Sequence, residues 1–212
     1  NNPTGAIYPE AALEAFANLA QRHGIALILD ETYRDFLAPG MGRAHGLLAA
    51  PGWRERIIQL YSFSKSYAVP GHRVGAIAAG PEAMAQILKV LDSVQICAAR
   101  PAQEALTWAI PGLRDWRSEM RAIINSRIAT FAGVVDHCPG WSISSIGAYF
   151  AYVRHPFDAP AERVVAALAR DAELAAGLEQ LPDRLSRALA CDWSAWSHAV
   201  GDAAAAFIVG RG

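Results

Sequence analysis

The sequence predicts an α/β layer fold over roughly the first 110 residues and a smaller α+β region after it. Three observations predict this. Short apolar runs alternate with helical stripes from Glu10 to Ala109, the pattern of strands and helices stacked in layers. Glycine and proline punctuate the runs, at Pro9, Gly24 and Gly80-Pro81. The first apolar run closes on an acid, Asp30, and in open α/β sheets the carboxyl ends of strands are where ligands sit.

The elements follow in order. Glu10 to His23 places Ala12, Leu13, Phe16, Leu19 and Ala20 on one helical face, starting after Pro9 and stopping at Gly24. Ile25-Ala26-Leu27-Ile28-Leu29 is a continuous apolar run, which predicts a short strand buried on both faces and ending at Asp30. Arg56 to Ser62 reads as a second strand, and Val74 to Ala79 as a third, closed by Gly80-Pro81. Helices are expected at Glu82–Leu91 and Ala102–Ala109, and across an arginine-studded stretch from Leu113 to about Asp136. After the turn Cys138-Pro139-Gly140, alternation over Ala148–Val153 predicts a strand, and Pro160–Ala176 returns to helix. Pro111-Gly112 marks the expected boundary, dividing the chain into residues 1–112 and 113–212.

Composition narrows the function. The chain of 212 residues has a formal charge of -1 and a pI near 6.7, so it carries no basic footprint for nucleic acid or an anionic membrane surface. Hydrophobic residues make up 53%, yet no uninterrupted apolar stretch approaches the ~18 residues of a membrane helix. Cys97, Cys138 and Cys191 are odd in number and widely spaced, with neither metal-ligand spacing nor a disulfide framework. A reducing cytoplasm is the expected setting.

Lysine is scarce. Only Lys65 and Lys89 occur among 19 basic residues. Arginine can neither shed its proton at working pH nor form an imine, so a lysine in such a chain points to chemistry at its amine. Lys65 stands in Ser62-Phe63-Ser64-Lys65 and is followed by Arg73 in Pro70-Gly71-His72-Arg73-Val74-Gly75. Upstream are Asn2-Pro3-Thr4-Gly5 and Asp30-Glu31-Thr32-Tyr33. Taken singly, each has an ordinary reading: Asp30 as a loop acid or cap, Tyr33 as a rim aromatic, Asn2–Gly5 as a turn, Ser62 and Ser64 as strand-end polar residues. Together, an imine-forming lysine, an anion-binding arginine, a carboxylate and a phenol suggest a pyridoxal 5'-phosphate site.

In order and spacing these motifs resemble the class I/II aminotransferases, the aspartate-aminotransferase superfamily of fold type I pyridoxal-phosphate enzymes, from Asn1 to about Arg170. The resemblance implies a partial large domain, an α/β/α sandwich with a mostly parallel sheet, followed by a small α+β domain. It implies that Asn2 and Tyr33 reach the cofactor's ring oxygen and that Asp30 pairs with its pyridine nitrogen. Lys65 would hold the cofactor as an imine, and Ser62 and Arg73 would bind its phosphate. A carboxylate beside the ring nitrogen keeps the ring able to accept electrons, and a lysine amine released from its imine is a base over the substrate Cα. An arginine fork suits a phosphate dianion. His72 is read as shaping the turn, and Tyr149 and Tyr152 as packing residues.

The resemblance therefore implies transamination between an amino acid and a 2-keto acid by a cytoplasmic homodimer, with neither nucleic acid nor membrane as partner. Two alternatives share the matched residues: a carbon–sulfur lyase of the same fold, and the aminotransferase-like domain of a transcription regulator. The chain departs from the family in two places. It opens at the Asn-Pro-Thr-Gly motif and reads as a fragment without the N-terminal half. From Asp171 to Gly212 it lacks the strand whose arginine grips a substrate carboxylate, and Gly177–Leu185 reads as a final helix arriving early, through an internal deletion or a frame error. Such an incomplete copy is expected to be inactive by itself.

Overall fold

The structure, a computed structural model, describes residues 1–170. Its described residues group into two compact units, Asn1–Asn125 with Gly147–Phe150, and Ser126–Ile146 with the residues from Ala151 onward.

Helix α1 (Glu10–His23) has the predicted bounds. It starts behind Pro9 and ends at Gly24, which adopts φ 65° and donates its N–H to the carbonyls of Ala20 and Gln21. That left-handed cap is cheap only for glycine. The apolar stripe is narrower than predicted. Leu13 and Ala17 pack against a core of Leu29, Leu47 and Ile57, whereas Phe16 is 56% exposed.

Strands β1 (Leu27–Asp30), β2 (Ile57–Ser62) and β3 (Gly75–Ala78) form a sheet in that order. β1 and β2 run parallel, with Asp30 opposite Leu60, and β3 returns antiparallel, with Ser62 opposite Gly75. The prediction of a β1 buried on both faces is corrected. Leu29 is buried but Ile28 is 59% exposed, because β1 is an edge strand and α1 packs on one face only among the described residues.

Gly75 lets β3 close on β2. A Cβ there would stand 2.7 Å from the Tyr61 carbonyl oxygen, inside van der Waals contact. Gly75→Ala is expected to cost about 1–3 kcal/mol, since backbone must shift to admit the methyl. A urea-unfolding midpoint equal to the parent's would contradict this.

Between β2 and β3 lies the short helix α2 (Phe63–Ser66), then a 3-10 turn at Pro70–His72. Helix α3 (Pro81–Val94) opens with proline in its first turn and buries none of its residues. Helix α4 (Arg100–Gly112) buries Ala102 and Ala109 against Phe63, Tyr67 and Val74, the second core cluster. Pro111 lies inside α4, and after Leu113 helix α5 (Arg114–Val135) begins.

A strand absent from the sequence reading, β4 (Ser142–Gly147), pairs with β5 (Phe150–Arg154), which begins later than predicted. Helix α6 (Ala161–Arg170) matches the start of the predicted final helix. Residues 171–176 of that helix, the early helix at Gly177–Leu185 and the atypical tail lie outside the described residues. No helix among the described residues is long and apolar enough to cross a membrane.

Candidate active site

Parallel pairing of β1 and β2 brings their carboxyl ends to one edge of the sheet. Asp30 is the last residue of β1, and Ser62, two residues beyond its register partner Leu60, is the last of β2. Each end turns sharply, and the turn residues are the candidates.

Asp30 builds its own turn. Its Oδ1 accepts from the Thr32 N–H at 3.1 Å and from the Thr32 hydroxyl at 2.8 Å, an Asx arrangement that bends the chain away from the strand. Oδ2 takes no hydrogen bond among the described residues, and the side chain is exposed. Tyr33 follows in the same turn. Its ring stands edge-on to Tyr149 at 6.1 Å and to Phe150 at 5.1 Å. Burial pushes its phenol above the usual range, a hydrogen bond with Asn2 opposes that, and the nearby Asp30 charge adds to the rise. The phenol is therefore protonated at neutral pH and available as a donor. The same interactions place Asn2, Tyr33 and Asp30 together. Asn2 is presented by a turn closed by the Gly5 N–H on the Asn1 carbonyl at 2.8 Å.

At the end of β2, Ser62 caps α2: its Oγ accepts from the Ser64 N–H at 3.2 Å. Lys65, half-buried, is the third residue of that helix. Ser64 and Ser66 are buried beside it. Arg73 ends the 3-10 turn with φ 48°, exposed, its Nη1 donating to the Pro70 carbonyl at 2.8 Å. The antiparallel return of β3 carries Arg73 back toward the Ser62 end of β2, with Phe63 N–H bonded to the Val74 carbonyl at 3.3 Å. Asp30 and Ser62 thus end neighbouring strands, Tyr33 and Lys65 follow them, Arg73 precedes β3 beside the end of β2, and Asn2 is hydrogen-bonded to Tyr33.

The sequence model of the family "Aminotransferase class I and II" matches residues 1–183. The chain belongs to that family. Among the relatives of this family member is a probable aspartate/prephenate aminotransferase of Aquifex aeolicus (strain VF5), 30% identical over 169 residues, covering 77% of this chain and 42% of the relative. Aromatic-amino-acid aminotransferase 2 of Thermococcus litoralis is 31% identical over 123 residues, covering 57% and 31%. The solved N-succinyldiaminopimelate aminotransferase from Mycobacterium tuberculosis superposes with TM-score 0.70 at 25% identity, over 81% of this chain and 45% of that one. The chain spans between about a third and a half of the length of these relatives. The fold is that of the fold type I aminotransferases, with a partial domain, as the motifs implied.

Of the accessory residues in this aminotransferase-family chain, His72 sits in the turn before Arg73, exposed. Tyr149 packs on Tyr33 and on Phe36 at 4.8 Å, as expected. Tyr152, expected to pack, is instead 56% exposed on β5 among the described residues.

Sequence reasoning missed the groups that hold the Asp30–Tyr33 turn. Glu31, next to Asp30, points inward and accepts from His45 Nε2 at 2.8 Å, from Arg34 Nη1 at 3.0 Å and from the Gln59 amide. A signal existed: Gln59 interrupts an otherwise apolar strand, Ile57-Ile58-Gln59-Leu60, at an inward position. Such a polar residue needs a buried partner.

Proposed function

We propose that this chain supplies part of a pyridoxal 5'-phosphate site in an aminotransferase that moves an amino group between an amino acid and a 2-keto acid. The observation that carries the reading is that Asp30 and Ser62 end two neighbouring parallel strands, with Tyr33 and Lys65 just after them, Asn2 hydrogen-bonded to Tyr33 and Arg73 returning beside Ser62, within the region the family matches. The donor set suits the group: a carboxylate oxygen without a hydrogen bond among the described residues, a protonated phenol beside an amide, a capping hydroxyl near a guanidinium, and an amine. All the named relatives above are aminotransferases, which favours transamination over the carbon–sulfur lyase.

Bound there, pyridoxal phosphate would supply a conjugated ring that takes up the electron pair released at a substrate Cα. The chain's residues do the rest. Asp30 would pair with the pyridine nitrogen and keep it protonated, and Asn2 and Tyr33 would donate to the ring oxygen. Ser62 and Arg73 would hold the phosphate, the Arg73 guanidinium offering donors besides the Nη1 that bonds the Pro70 carbonyl. Lys65 would hold the cofactor through its amine, and that amine would serve as the base that moves the substrate Cα proton. A homodimer in the cytoplasm belongs to the same reading and rests on the family resemblance.

Lys65→Ala is the test. Pyridoxal phosphate added to the full chain is expected to give a long-wavelength band, and borohydride to fix the cofactor on the peptide containing Lys65. Both signals vanish in the variant. A label on Lys89, or no label, refutes the assignment.

A further inference from the structure

Asp35 lies two residues past Tyr33, on the side of the turn facing β2. Its Oδ2 accepts from the Tyr61 hydroxyl at 2.5 Å, and its Oδ1 from Arg117 Nη1 at 3.3 Å. Tyr61 immediately precedes Ser62, and its ring meets Phe63 edge-on at 5.0 Å. Phe63 meets Tyr67 at 5.3 Å, and the Arg117 guanidinium lies 5.0 Å over the Tyr67 ring. The contacts form a closed circuit from the Tyr33 turn to the end of β2, across α2, through α5 and back to Asp35. Ser62 and Lys65 lie on the arc between Tyr61 and Tyr67.

Helix α5 extends the grip. Arg117, Arg121 and Asn125 recur every four residues and so share one face. Arg121 donates to the carbonyls of Leu37, Ala38 and Met41 at 2.7–2.9 Å, and Asn125 to that of Leu37 at 3.1 Å. Burial, with the Asp35 carboxylate adding to it and the Ser66 hydroxyl opposing, pushes the Tyr61 phenol far above its usual range. Tyr61 therefore remains a donor at any working pH. Arg117 and Asp35 are only 22% and 25% exposed, so solvent screens this pair less than a surface pair.

We propose that Asp35 is a positioning residue for the cofactor site: by accepting from Tyr61 and Arg117 it fixes the spacing between the Tyr33 turn and the Ser62–Lys65 turn. The inference rests on the site reading above, and deepens it. A rigid ring gripped by Asp30 and Tyr33 at one end and attached to Lys65 at the other binds only if both turns stand at one separation. Those turns follow different strands, and Asp35 is where a charge-assisted bond joins them.

The experiment uses the full chain as parent, Asp35→Asn, Tyr61→Phe, and Arg43→Gln, which loses only an exposed ion pair with Glu10. Amide hydrogen exchange is read without cofactor, then pyridoxal phosphate is titrated by absorbance across pH. In Asp35→Asn and Tyr61→Phe, exchange over residues 31–37 and 62–67 is expected to quicken together while Leu29 and Ile57 keep the parent's protection. The dissociation constant is expected to rise about tenfold, the effect of losing an outer support of a site, and the pH midpoint of the band to shift. Arg43→Gln changes none of these. Exchange that quickens in one segment alone, or variants with the parent's affinity and pH midpoint, overturns the role of Asp35 and leaves the site reading standing. A parent that binds no pyridoxal phosphate overturns the site reading and, with it, the role given to Asp35.

Discussion

Glu31→Ala is expected to lower the stability of the fold by about 3–5 kcal/mol, the range for stripping one partner from a buried charge cluster. The Glu31 side chain is 9% exposed and that of His45 2%. His45 Nδ1 accepts from the Leu47 N–H at 3.2 Å, which assigns the ring proton to Nε2, facing Glu31 at 2.8 Å. Removing the carboxylate leaves that N–H and the Gln59 amide buried with no acceptor, and desolvation of both is then uncompensated. Arg34, a third exposed, can turn to water and adds little. Glu31→Gln keeps the volume but turns donors toward donors, so it is expected to recover only part of the loss. Urea unfolding of parent and variants measures both differences. A Glu31→Ala protein within 1 kcal/mol of the parent would mean the cluster does not hold the turn.

The fold was legible where local rules act alone. The bounds of α1 followed from Pro9 and Gly24, because a proline start and a left-handed glycine stop are set by the residues themselves. The three sheet strands followed from apolar runs with the right punctuation. Burial was less legible. Ile28 on β1 and Phe16 on α1 are apolar yet exposed, because burial depends on which other elements cover a face. β4 was missed because Ser142, Ser144 and Ser145 dilute its alternation to the two isoleucines Ile143 and Ile146.

The candidate site could be named from sequence as a set of residues, but not as a mounting. Lys65 could be picked from sequence because lysine is scarce in this chain, and Asp30 and Arg73 because their order and spacing with it resemble a family's motifs. Their supports could not. Asp35 and Tyr61 are 26 residues apart, and Asp35 and Arg117 are 82 apart; such pairings exist only once the chain is folded. The recurrence of Arg117, Arg121 and Asn125 on one helical face was a visible hint, though it did not say what the face would hold. Their targets include the carbonyls of Leu37, Ala38 and Met41, and backbone acceptors leave no mark in a sequence.

Asp30→Asn is expected to slow transamination by an active enzyme carrying this segment on the order of a hundred- to a thousandfold, with little change in stability. The two effects separate because the two carboxylate oxygens have separate tasks. Oδ1 makes the Asx turn with Thr32, and an asparagine carbonyl oxygen accepts those bonds equally well. Oδ2 makes no hydrogen bond among the described residues, and in the proposed site it would face the pyridine nitrogen. Exchanging it for an amide NH2 replaces an ion pair with a neutral donor, which pairs best with an unprotonated nitrogen. The ring then no longer stores the electron pair released at Cα. Losing a charge partner of that kind is worth about 3–4 kcal/mol, and each ~1.4 kcal/mol of barrier is tenfold in rate. A single-turnover rate with amino acid alone, beside a thermal unfolding curve, tests both halves. A variant that keeps its rate within threefold refutes the pairing of Asp30 with the ring. A variant that loses its rate together with its melting temperature assigns the residue to the fold, because the turn at Oδ1 would then be what failed.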